Sequence, residues 1–243
     1  MSRRRRGPHA RAARGKLVDR DYEILEHLLR YRICTRESLR GQFFDDSELN
    51  AVSKVASRLE AGGFLTSHDL DPPSKYWTLG PEGCSLFGLS VKKTKPLGPQ
   101  ALLDDLGALL FCLAGKTPRK RLTLGEVSKR LPGTPLTELR QTRFYEELHG
   151  DDPRDRLGFV WSDGGRPPDS VVRKCAEVVR KKMDTPALRA LAERKLLVMA
   201  IVTANKIRAE HLQEAIRRRA DWPVEFRVAA RPGLTPAVLR ARR

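Results

Sequence analysis

Between Leu49 and Ala61, five polar side chains (Asn50, Ser53, Lys54, Ser57 and Arg58) recur at i, i+3, i+4, i+7 and i+8. Leu49, Val52, Val55, Ala56 and Leu59 alternate with them. This spacing separates the two sets onto opposite faces of one helix. An outward row of amide, hydroxyl, ammonium and guanidinium groups is the donor set that reads base edges in a major groove ~12 Å wide. Around it stand further candidates for phosphate contact. Thr35 and Arg36 open a preceding helix, whose first backbone amides suit an anion. Lys75 and Tyr76 follow a turn, and Arg3, Arg4, Arg5 and Arg6 lie in a basic amino-terminal run. A polar helix face is also the ordinary solvated face of a helix, so the row has to be weighed with charge and topology.

Other chemistries have weaker support. The cysteines Cys34, Cys84, Cys112 and Cys175 form no C-x-x-C pair, and each has apolar neighbours, as expected of reduced, buried thiols. The histidines show no metal-ligand spacing, so no metal or other cofactor is expected. Asp169 could be the first carboxylate of a metal-dependent nuclease, but no E-x-K or D-x-K on a strand follows it. The expectation is a non-enzyme, with a nuclease using Asp169 as an alternative.

The balance of charge favours a polyanion. Lys plus Arg number 47 against 30 acids, a formal +17 with pI ≈ 10.3. Such a surplus is commonly explained by nucleic acid. Residues 1–20 hold eight basic side chains against Asp19 alone, and residues 171–220 hold thirteen against five acids. With 40% hydrophobic residues across the 243, wholesale disorder is excluded. The longest uncharged apolar stretches, Leu106–Gly115 and Leu196–Ala204, fall short of the ~18 residues of a membrane span. No apolar segment follows the basic start, so a secretion signal is not expected and a cytoplasmic protein is.

The elements that must position the polar row form a compact pattern over residues 17–89, after a flexible basic arm at 1–16. Asp19 is expected to cap a helix burying Tyr22, Ile24, Leu25, Leu28 and Leu29. Thr35 caps a second helix, with Leu39 and Phe43 inward. Asp45 and Glu48 resemble a capping box for the third, which ends at Gly62-Gly63. Phe64–Leu70 and Lys75–Leu79 make a hairpin around Asp71-Pro72-Pro73-Ser74, and Pro81 begins a short helix. Three helices followed by a two-stranded ribbon predict a winged helix-turn-helix.

Three runs carry a resemblance: R-D-x-x-I-L at Arg20–Leu25, S-R-L-E-A-G-G-F-L at Ser57–Leu65, and Y-W-T-L-G-P-E-G at Tyr76–Gly83. Residues 17–89 resemble the winged-helix half of the replication-relaxation family, proteins of bacterial plasmids and other mobile elements. The resemblance implies sequence-specific binding of double-stranded DNA in replication or transcription control. Members of that family often continue into a domain related to the restriction-endonuclease fold. Here the stretch Pro168-Asp169-Ser170-Val171-Val172 is partly similar to such domains, although the acidic strand is missing.

The whole is therefore expected to be α+β. A linker at 90–99 leads to a small α/β domain over 100–230, serving self-association as a homodimer or docking of a protein partner. A basic tail closes the chain at 231–243. In the carboxyl half, Leu102, Leu103, Leu106, Leu109, Leu110 and Leu113 form an apolar helix stripe. Leu157–Trp161, Leu196–Thr203 and Val224–Ala230 read as strands, and Cys175–Lys195 and Lys206–Ala220 as helical. A rival assignment is a subunit of a larger DNA-processing or defence assembly that binds DNA without sequence preference.

Overall fold

A computed structural model describes residues 17–44, 49–140, 142–148, 156–219 and 221–242. The fold is α+β and separates into two compact units, residues 1–96 and 97–243. The basic arm with Arg3–Arg6 and the Asp45–Glu48 box lie outside the described residues.

In the first unit, α1 (Asp19–Tyr31) buries Ile24, Leu25, Leu28 and Tyr31 at helical spacing. Tyr22 and Leu29, expected inward, are exposed, because the buried stripe is centred on Ile24 and Leu28. Asp19 is not the cap either. Val18 occupies that place, and the carboxylate of Asp21 reaches back to accept its N–H at 3.0 Å. Arg32 ends the helix in the left-handed region, φ 68°. There follows a short strand unforeseen in the sequence, β1 (Cys34–Thr35), and then α2 (Arg36–Phe43). Helix α3 (Leu49–Ala61) buries Val52, Ala56 and Leu59 and stops before Gly63, whose φ of +74° suits glycine. The hairpin is β2 (Leu65–Asp71) and β3 (Ser74–Leu79), and α4 (Pro81–Leu86) closes the unit. The sheet order is β1-β3-β2, all antiparallel, with Cys34 opposite Trp77 and Thr35 opposite Tyr76.

The second unit opens with α5 (Pro99–Cys112), which is buried nearly all round rather than along one stripe. Its sheet has five strands: β4 (Arg119–Arg121), β5 (Arg143–Glu147), β6 (Arg156–Ser162), β7 (Leu197–Thr203) and β8 (Glu225–Ala230). They lie side by side in chain order, antiparallel from β4 to β6 and parallel from β6 to β8. Short helices α6 (Leu124–Arg130) and α7 (Leu136–Arg140) join β4 to β5. The expected single helical stretch before β7 is two helices, α8 (Pro168–Met183) and α9 (Pro186–Glu193), because Pro186 starts a new first turn. Helix α10 (Lys206–Arg217) links β7 to β8. Phe144, Leu157, Phe159, Leu197, Met199 and Ile201 pack with Val172, Cys175, Leu188 and Leu212 in one core. Strand β7 is buried along its whole length, the burial of a central parallel strand.

The end of the chain is not a trailing tail. A 3-10 turn and α11 (Thr235–Arg242) pack on α5, with Leu234 and Ala237 fully buried. Arg231 donates to the carbonyls of Leu110 and Ala114 at 3.2 Å each, closing the end of α5.

Two charged clusters sit inside this unit. Fully buried Asp105 accepts from Arg121 at 2.9 Å and Arg143 at 3.0 Å. Fully buried Glu147 accepts from Arg119 at 3.1 Å and from Arg227. Removing one partner of such a group strands the others in low dielectric. Asp105→Ala is therefore expected to cost about 3–5 kcal/mol of stability. Urea unfolding of the full chain measures it, and a loss below about 1 kcal/mol contradicts the account.

Candidate nucleic-acid interface

On α3, burial of Val52, Ala56 and Leu59 forces the opposite side outward. Asn50, Lys54 and Ser57 are exposed there. Ser53 is half-buried, and its hydroxyl donates to the Leu49 carbonyl at 3.1 Å, so its proton is used within the helix. Arg58 differs most from the expectation. Its guanidinium donates to Asp21 at 2.6 Å, and Asp21 is fully buried at the start of α1. With 45% of its side chain exposed, Arg58 still borders the row, but its charge is committed to joining α1 and α3.

The second helix contributes through its start. The Thr35 hydroxyl accepts from the Ser38 N–H at 3.2 Å, and the Thr35 N–H donates to the Ser38 hydroxyl at 2.9 Å. This reciprocal box fixes where α2 begins and buries Thr35, leaving that residue a positioning role. Arg36 is exposed, 3.9 Å from Glu37. Arg40, one turn later, is exposed on the same helix. It was missing from the sequence candidates, and its i,i+4 relation to Arg36 is the signal that finds it. Helices α2 and α3 pack against each other.

The hairpin adds less. Tyr76 is fully buried and cannot be a contact residue; on β3 it faces the interior, stacking on His68 at 5.1 Å. Lys75 is exposed but paired in register with Asp69, and Asp71 stands opposite Ser74. Carboxylates therefore offset the one cation of the tip.

No protein-family model, curated protein or solved structure matches the chain. Among the described residues no group of three His, Cys, Asp or Glu is placed to hold a metal, and no helix is long and apolar enough to cross a membrane. Asp169, with 81% of its side chain exposed, lies 3.9 Å from Arg218 and has no second carboxylate beside it in such a group. All four cysteines are buried and free; burial pushes the Cys34 thiol up, and that of Cys175 up to about 12.

One titratable group helps to hold the surface. His27 of α1 packs against Tyr31 at 4.6 Å and edge-on against Phe43 of α2 at 5.5 Å. Burial, with Arg30 adding repulsion, lowers its pKa from 6.5 to about 4. An unfolded chain takes up this proton before the folded one, so stability is full above pH 6.5 and is lost as pH falls toward 4. The loss is on the order of 3 kcal/mol. His27→Phe, which keeps the ring contacts, is expected to flatten that limb; equal pH slopes for both chains in urea unfolding refute the assignment. On the helix face itself, Arg58→Ala leaves Asp21 buried without its guanidinium and is expected to cost about 1–3 kcal/mol. Lys54→Ala is expected to stay within about 0.5 kcal/mol. Equal costs by thermal unfolding contradict the division of roles.

Proposed function

We propose that residues 17–89 form a winged helix that binds double-stranded DNA with sequence preference. The chain on this reading is a regulator of replication or transcription on a bacterial plasmid or other mobile element, acting in the cytoplasm. The single observation that carries the proposal is the exposed row Asn50, Lys54 and Ser57 on α3, set opposite a fully packed apolar face. Among the described residues the unit has three helices before a β2–β3 hairpin, and β1 extends that ribbon to a three-stranded sheet. With that order α3 is the element offered to a major groove, and Arg36 and Arg40 of α2 reach the flanking phosphates. The second unit, on this reading a degenerate restriction-endonuclease-like α/β domain, serves self-association or partner docking; a two-fold dimer suits a palindromic site.

Selection of bound fragments from a random duplex library tests the central claim, and recovery of no preferred sequence overturns it. Lys54→Ala is expected to weaken the selected site by about 1–3 kcal/mol while changing random duplex binding little. Deleting Ser2–Arg6 is expected to weaken all duplexes alike and to flatten the dependence of binding on salt. An unchanged slope removes the arm from the interface.

A second reading draws on exposed cations elsewhere. Arg173, Lys174, Arg180 and Lys181 stand exposed on α8, a pattern suited to backbone contact without base reading, as in a subunit of a larger DNA-processing assembly. Competition between selected and random duplexes at fixed salt separates the two readings.

A further inference from the structure

The second unit contains a cavity of about 370 Å³ at the carboxyl end of β6, between α5 and the start of α8. Its walls are rich in hydrogen-bond donors. Arg143 enters from β5, Arg166 from the loop after β6, and Ser170 and Lys174 from α8. Pro167 caps α8 without a side-chain hydrogen bond, Pro168 carries no N–H and the Val171 N–H donates to the Pro167 carbonyl at 3.1 Å, so the first-turn amides open to an anion are those of Asp169 and Ser170. Ser162 adds an independent sign of an absent partner. It is 4% exposed and lines the cavity, its hydroxyl lies against the bare Gly107 of α5, and no group among the described residues bonds that hydroxyl.

The carboxylates nearby do not cancel these donors. Asp163 is saturated by Arg208 at 2.7 and 3.1 Å, the Thr203 hydroxyl at 3.1 Å and the Gly165 N–H at 2.9 Å. Asp104 accepts from Gln100 at 2.9 Å and faces Arg143 at 4.0 Å, so its charge is met within the protein. Glu177 holds Lys174 at 2.8 Å, but both are half-exposed and the pair is readily exchanged.

We propose that this cavity binds a phosphate group, gripped by Arg166 and Lys174 and seated on the first turn of α8. A phosphate with three acceptor oxygens and a charge near −2 matches a fork of guanidinium, ammonium and backbone amides. The volume admits more than the bare ion, so the group comes from a phosphorylated small molecule or from the end of a nucleic acid.

Calorimetric titration of the full chain with inorganic phosphate and with a 5′-mononucleotide, the nucleoside serving as control, tests the site. Saturable binding that requires the phosphate is expected. Arg166 and Lys174 are exposed, so R166Q/K174Q is expected to fold normally by circular dichroism and to bind about tenfold or more weakly. Ser162→Ala, which breaks no bond to the described residues, is expected to weaken binding as well. Absence of phosphate-dependent heat, or a double variant that binds as tightly as the parent, overturns the proposal. The source is settled with 5′-phosphorylated and 5′-hydroxyl duplexes. A gain from the phosphate that R166Q/K174Q abolishes assigns a nucleic-acid end; equal duplex affinities beside retained mononucleotide binding assign a small molecule. Lys54→Ala leaves the phosphate heat unchanged, so failure here is distinct from failure of the DNA reading.

Discussion

A carboxylate buried at the start of α1 governs what the first unit offers to a partner. Asp21 accepts the Val18 N–H on one side and the Arg58 guanidinium on the other, with no exposure of its own. A buried charge of this kind is tolerated only while both bonds are made. The rotation of α3 about its axis is thereby set by an ion pair as well as by Val52, Ala56 and Leu59 in the core. Asn50, Lys54 and Ser57 face outward because Arg58, the strongest donor in the row, is turned toward α1. The interface gives up part of its cationic reach and gains a fixed orientation for the side chains that remain.

The second unit meets the same constraint with more elements. Asp105 and Glu147 are each flanked by two arginines from different strands, across the face on which α5 lies. Tyr145, fully buried between them, fits because β6 carries Gly158 opposite it; a Cβ there would collide with the ring. Asp163 repeats the pattern at the carboxyl ends of the parallel strands, binding the loops after β6 and β7 to α10 through Arg208. Each carboxylate joins elements far apart in the chain. The register of a sheet with charge on its inner face is set by these pairings, since a slip of one residue would carry the arginines to the wrong side.

These pairings also explain which parts of the fold were legible in the sequence. Helices α1, α2 and α3, the hairpin, β6, β7 and α10 follow from apolar spacing and turn residues, which are local signals. Strands β4 and β5 read Arg-Lys-Arg and Arg-Phe-Tyr-Glu-Glu, compositions that look solvent-facing until the distant carboxylates and guanidiniums that neutralise them are placed. Two residues of β1 carry no periodicity at all; they are strand only because β3 lies beside them. The terminal segment looked like a tail because its arginines outweigh its few apolar groups, yet Leu234 and Ala237 are enough to seat it on α5. The exposure of Asn50, Lys54 and Ser57 follows from helical spacing, and that of Arg36 from its place at the start of α2. The burial of Tyr76 was not, because an alternating strand gives two phases and only tertiary packing chooses between them.

Internal pairing also lowers the weight of the net charge. A formal +17 counts every arginine equally, but Arg58, Arg119, Arg121, Arg143, Arg208 and Arg227 each pair with an internal carboxylate, and Arg231 closes the end of a helix. These cations serve folding and add little to the field a distant polyanion meets, since each is offset at contact distance. Among the described residues the cations left exposed include Arg36, Arg40 and Lys54 in one unit and Arg173, Lys174, Arg180 and Lys181 in the other, with Lys92, Lys93, Arg166, Lys206 and Arg217 among the rest. Composition therefore overstates how much cationic surface is open to any polyanion. On α3 the few side chains open to a partner, Asn50, Lys54 and Ser57, owe their direction to the apolar face and the buried charge beneath them.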